Sequence, residues 1–161
     1  MILVRSLPSV ETLGCVSVIA TDKTGTLTSN QMTCTSLVVL DSDGKTFFEH
    51  TIEGDSYEPF GEISGLANEE TFIYPEGAMV DTTAICFGCN DAQLVKSSED
   101  GAYSIIGEPT EGSLLVLGEK INAAEEDEVR NAKDCWDRQW NRIATLDFDR
   151  DRKSMSTICQ N

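Results

Sequence analysis

Asp22-Lys23-Thr24-Gly25-Thr26-Leu27-Thr28 sets one carboxylate among three threonines and a glycine. An aspartate can attack a phosphoryl group directly, forming an acyl phosphate and splitting one hard transfer into two easier steps. Thr24, Thr26 and Thr28 put hydroxyl and amide donors where phosphate oxygens would lie, and Gly25 lets the backbone come close. Just before the carboxylate stands Val16-Ser17-Val18-Ile19-Ala20-Thr21, a short β-branched run of strand type. Asp22 is therefore expected where a strand ends, the place at which open α/β sheets bind ligands. An aspartate with a nearby glycine is, in isolation, only a turn. Seven consecutive residues of this kind argue for more.

The flanks extend the pattern. Arg5-Ser6-Leu7-Pro8-Ser9-Val10-Glu11-Thr12-Leu13-Gly14-Cys15 precedes the heptapeptide and Ser29-Asn30-Gln31-Met32 follows it. Further along come Thr51-Ile52-Glu53-Gly54-Asp55-Ser56-Tyr57-Glu58-Pro59, Cys86-Phe87-Gly88-Cys89-Asn90-Asp91, Gly107-Glu108-Pro109-Thr110-Glu111, and Phe148-Asp149-Arg150-Asp151-Arg152-Lys153-Ser154-Met155-Ser156. In this order and at this spacing the segments resemble the P-type ATPases, cation pumps that cycle through a phospho-aspartate. The stretch before Cys15 is most similar to the sarco/endoplasmic-reticulum calcium pumps. Sodium/potassium, plasma-membrane calcium and secretory-pathway pumps diverge there. Residues 62–80 and 121–140 match poorly and read as variable surface.

The resemblance implies an α/β architecture. Residues 1–31 would begin a haloacid-dehalogenase-like (Rossmann-like) phosphorylation domain. Residues 32–161 would be the first part of an α+β nucleotide-binding domain with an antiparallel sheet, incomplete. A chain of 161 residues suffices for about one domain, whereas such pumps are many times longer. No run approaches the ~20 apolar residues that span a bilayer, and no signal-peptide pattern opens the chain. The chain is accordingly expected to be a fragment truncated at both ends. It lacks T-G-D-G-x-N-D with its further Mg²⁺-binding aspartate, K-G-A-x-E with its pocket lysine, and the T-G-E-S loop. Alone, it is expected to hydrolyse no ATP.

Net charge is −16, with 28 acidic residues against 12 basic. That balance argues against nucleic acid or an anionic membrane surface as a direct partner. The acidic runs at 49–76 and Glu125-Glu126-Asp127-Glu128 lack the D-x-D-x-D-G…E spacing of a calcium loop and read as solvated faces. Six cysteines are scattered along the chain, and the context implied by the resemblance is reducing. Cys86-x-x-Cys89 is half of a zinc pattern, but His50 is the only histidine and no second pair exists. Both thiols are expected as small apolar groups on a helix capped by Asp81-Thr82-Thr83.

Punctuation and period give a coarse layout. Pro8 and Gly14 bracket a short helix, Ser9–Leu13. Met32–Leu40 and Lys45–Ile52 read as strands joined by a turn at Asp41-Ser42-Asp43-Gly44. Helices are expected over Thr82–Lys96, Thr110–Ile121 and Ala123–Trp140. Arg142–Phe148 and Lys153–Gln160 read as strands joined by a charged turn.

Thr110-Glu111 opens a helix, where the structural account is capping by Thr110 with Glu111 favoured by the helix dipole. The resemblance puts both residues beside the adenine of ATP, with Glu111 accepting from its amino group. It also makes Asp22 the phosphorylated nucleophile, with Lys23, Thr24, Gly25 and Thr26 around it. The Asp22 carboxylate and Thr24 carbonyl would ligate Mg²⁺. Arg152-Lys153 in a strand would alternate at the surface. A small phosphatase of haloacid-dehalogenase type is the rival; those enzymes carry a second aspartate for proton transfer, where this chain has Thr24. A non-catalytic nucleotide-binding module is the other. The expected parent is an ATP-driven calcium pump of the endoplasmic or sarcoplasmic reticulum membrane, this segment lying in the cytosol and working with the remaining pump domains.

Overall fold

In the computed structural model, residues 7–29, 31–40, 44–64, 78–122 and 132–161 are described. The chain divides into two compact units, Met1–Asn30 and Gln31–Asn161.

The first unit contains α1 (Leu7–Gly14). Pro8 stands in its first turn, where a missing N–H costs nothing, and the Pro8 carbonyl accepts from the Thr12 hydroxyl. Val16–Thr21 does not form the expected strand: it is irregular, and Val18 and Ile19 are 80% and 71% exposed. A parallel-type strand is stabilised by neighbours that cover both faces. Among the described residues none pairs with this run, so β-propensity alone does not make it one.

The second unit is built around α3 (Pro109–Asn122), whose residues from Gly112 to Lys120 are buried except Leu114. It packs against α2 (Ala78–Gly88) through Gly118 and against Ile105 through Gly112. A Cβ on Gly118 would stand 2.5 Å from the ring of Phe87, and one on Gly112 would stand 2.6 Å from Ile105. Phe87 and Leu115, both almost fully buried, centre a core with Ile52, Ile63, Cys86 and Leu117.

Among the described residues, three two-stranded antiparallel sheets accompany it. β1 (Ser36–Leu40) pairs with β2 (Phe47–Thr51), Ser36 facing Thr51. Both are shorter than their expected spans: Met32–Thr35 is irregular, and Ile52 makes only an isolated bridge to Ile63. Of the turn expected between them, Asp41–Asp43 lies outside the described residues. β3 (Gln93–Lys96) pairs with β4 (Tyr103–Ile106), a hairpin that replaces the second half of the expected Thr82–Lys96 helix. Gly88 and Asn90 end that helix early, and Leu94 and Val95 find antiparallel partners in Ile105 and Ser104. β5 (Asn141–Asp149) and β6 (Ser154–Gln160) form the expected hairpin. One carboxylate oxygen of Asp149 accepts from the N–H groups of Asp151 and Arg152 to close its turn.

α4 (Ala132–Gln139) covers the last part of the helix expected over Ala123–Trp140, whose first half, 123–131, is outside the described residues. Trp136 packs over Gly88, where a Cβ would be 2.7 Å from the indole. The buried Glu119 carboxylate accepts from the N–H groups of Ala132 (2.9 Å) and Lys133 (3.0 Å), satisfying two orphan donors at the start of α4. No helix among the described residues is long and apolar enough to cross a membrane.

Candidate functional site

The heptapeptide forms a turn that closes on itself. The Lys23 carbonyl accepts from the N–H groups of Leu27 (3.0 Å) and Thr28 (3.2 Å) and from the Thr28 hydroxyl (3.4 Å). The Thr28 hydroxyl oxygen also accepts from the Gly25 N–H. Gly25 has φ +75° with open space where a Cβ would be. Its glycine is needed for the left-handed backbone, not for room. Every residue from Asp22 to Thr28 is exposed. Among the described residues, the carboxylate of Asp22 and the main-chain carbonyl of Thr24 accept no hydrogen bond. Thr24 and Thr26 leave their hydroxyls open in the same way.

Thr110 and Glu111 belong to the second unit, at the start of α3. The helix begins at Pro109, and its first bond runs from the Gly112 N–H to the Glu108 carbonyl. Glu108 is therefore the cap residue, and the expected capping by Thr110 is not made. Proline at the first helical position moves the boundary one residue earlier. The Thr110 hydroxyl instead donates to the sulfur of Met32, 3.6 Å away. Met32 in turn donates its N–H to the buried Tyr57 hydroxyl.

Glu111 stands third in the helix, the position from which a glutamate usually reaches back to its own cap. Here it reaches across: one carboxylate oxygen, Oε2, accepts from the Asp91 N–H at 3.2 Å. The loop that presents Asp91 is fixed by Asn90. This buried side chain donates to the carbonyls of Cys86 (2.9 Å) and Glu111 (2.7 Å) and accepts from the Ala92 N–H (2.9 Å). Gly107, at φ +125°, lets the approach to α3 pass so near that its Cβ would lie 3.0 Å from the Cα of Ala92. The C-x-x-C-N-D and G-E-x-T-E segments thus meet, one supplying the Asn90 amide and the other Gly107. Arg142, at the start of β5, adds a 2.6 Å ion pair to the Asp91 carboxylate.

Cys86 and Cys89 separate in role. Cys86 is in the core, and burial, with Cys34 beside it, pushes its thiol up to about 11. Cys89 is half-buried and points its sulfur at the Met155 carbonyl, 3.7 Å away. The apolar reading holds for Cys86. Nearby, a cavity of about 850 Å³ is lined by Asn90, Asp91, Lys96, Tyr103, Glu119 and Lys133, among others; Thr110 and Glu111 do not line it.

Residues 78–161, just over half of the chain, match the family model described as P-type ATPase, cytoplasmic domain N. The chain belongs to the P-type ATPases. The match runs from the first residue of α2 through β6, so the Asn90–Asp91 loop, Glu111 and Arg142 are all inside domain N. Membership makes the chain part of a cation-transporting ATPase, a family that uses ATP and Mg²⁺, and gives it a nucleotide-binding domain of mixed helices and small antiparallel sheets. Asp22 and its neighbours lie before the matched residues. Of the residues now seen in domain N around Glu111, sequence reading quoted Asn90 and Asp91 but put them on a helix, and it gave Arg142 no role. Nothing local signals a partner 51 positions away.

Proposed function

We propose that the chain is a cytosolic piece of a calcium-transporting P-type ATPase of the sarco/endoplasmic-reticulum kind, joining the start of its phosphorylation domain (1–31) to the first part of its nucleotide-binding domain (32–161). The observation that carries this reading is the Asp22 carboxylate, unengaged in a turn that closes through its own neighbours. In the reaction, an oxygen of Asp22 bonds to the γ-phosphorus of ATP, the bond to the β-phosphate oxygen breaks, and ADP leaves. Thr24 and Thr26 hold the transferring oxygens, with most of the catalysis coming from positioning and charge neutralisation. Two hard oxygens left free of protein donors, the Asp22 carboxylate and the Thr24 carbonyl, suit Mg²⁺, which would neutralise phosphate charge. In the nucleotide-binding domain, Glu111 accepts from the adenine amino group of ATP with Thr110 beside it. Lys23 contributes the carbonyl that closes the turn.

The calcium assignment rests on likeness in the residues before Cys15. The chemistry is tested by Asp22→Asn in the full-length enzyme in membranes. An amide is too weak a nucleophile, so no acid-stable, hydroxylamine-sensitive phosphoenzyme should form from ATP, while nucleotide still binds. Phosphoenzyme at the wild-type level in that variant would overturn the assignment.

A further inference from the structure

The Glu111 carboxylate is half engaged. Its Oε2 is taken by the Asp91 N–H, while its Oε1 accepts nothing among the described residues. The direction of the free oxygen is therefore set by where the Asp91 main chain sits. Asp91 is exposed and on a loop, yet its side chain is gripped by the Arg142 Nη1 at 2.6 Å. That grip is not explained by stability. The Nε and Nη2 of Arg142 are buried and have no hydrogen-bond partner among the described residues, and a buried donor left unmet costs free energy. An exposed carboxylate partner returns little of it.

We propose that Asp91 and Arg142 form a positioning pair that aims the free oxygen of Glu111 and so makes this site selective for a nucleobase bearing an exocyclic amine over one bearing a carbonyl in its place. The proposal rests on the nucleotide reading of Glu111 given above. The physical logic is that a carboxylate can only accept. Held in one orientation it meets an amine with a charge-assisted bond and faces a carbonyl with repulsion. Let the loop relax, and the carboxylate swings away from a carbonyl at little cost, so discrimination falls more than affinity. Arg142 acts through Asp91 and touches no ligand in this scheme.

The test uses the full-length enzyme in membranes. ATP and ITP, which differ by an amine against a carbonyl at C6, each displace a fluorescent nucleotide from the wild type and from the Glu111→Ala, Asp91→Ala, Arg142→Ala and Arg142→Lys variants. The expected result is a wild-type preference for ATP, lost in Glu111→Ala. That preference should be reduced at least fivefold in Asp91→Ala and Arg142→Ala and partly restored in Arg142→Lys. A merely structural pair would weaken both nucleotides alike or lower the melting temperature with the ratio intact. That outcome overturns the proposal and spares the reading of Glu111. A wild type without preference, or a Glu111→Ala variant that keeps it, overturns that reading and the proposal with it.

Discussion

The ammonium of Lys120, buried on α3, donates to the main-chain carbonyl of Glu53, sixty-seven positions earlier. The loop after Glu53 folds round that ammonium: Cβ atoms on Gly54 and Gly61 would lie 2.8 and 3.6 Å from Nζ. Burial holds the Lys120 pKa below its usual value, with Glu58 and Glu53 opposing the shift. Hydrogen bonds from charged groups contribute about 1.5–3 kcal/mol. Lys120→Ala, which also removes the buried stem, should lose about 2–3 kcal/mol in urea unfolding. Lys120→Met keeps the stem and removes a desolvated charge, so it should cost less. Equal losses would mean the charge, not the packing, holds the loop.

Gly118→Ala sets two effects against each other. Alanine in a helix interior gains about 1 kcal/mol over glycine. Forcing a methyl to 2.5 Å from the fully buried Phe87 costs about 1–3 kcal/mol. Overpacking should win, with a net loss near 1 kcal/mol in chemical denaturation. A stabilised variant would show that Phe87 has room to move.

Burial raises the Glu119 pKa, and Asp134 adds to this, against the N–H groups of Lys133 and Ala132 and the charge of Lys133. A carboxyl that binds its proton more tightly when folded favours the folded state below its unfolded pKa. That contribution is lost as pH rises through the folded pKa. Compared with Glu119→Gln, the wild type should therefore gain thermal stability as pH falls from 7 towards 4. The opposite slope would show that the two helix-capping bonds outweigh burial.

A thiol at about 11 holds, at pH 8, roughly a hundredfold less thiolate than an ordinary one. Alkylation followed by peptide mass analysis should label the exposed Cys15 and Cys135 first and Cys86 last. In denaturant the three should react alike. Early labelling of Cys86 in the native chain would place it outside the core.

The 161-residue chain by itself should show no Mg·ATP hydrolysis above an Asp22→Ala control. Turnover that vanishes in the control would favour the small-phosphatase reading.

Several elements were legible in the sequence because their causes are local. Pro8 and Gly14 bound α1, the periodic run after Pro109 became α3, and the Asp149 turn joined β5 to β6. The failures have distant causes. Val16–Thr21 has strand composition but no described partner. Gln93–Lys96 reads as more helix until Tyr103–Ile106 is there to pair with it. The contact that joins Glu111 to the Asp91 loop was not legible either, because it runs through a main-chain N–H, and any residue but proline carries one.

The turn from Lys23 to Thr28 takes all its closing hydrogen bonds from within six consecutive residues. Its shape is thus a property it carries with it. A change of direction in the chain on either side breaks none of these bonds. What surrounds the knuckle can therefore change while its internal bonding stays the same.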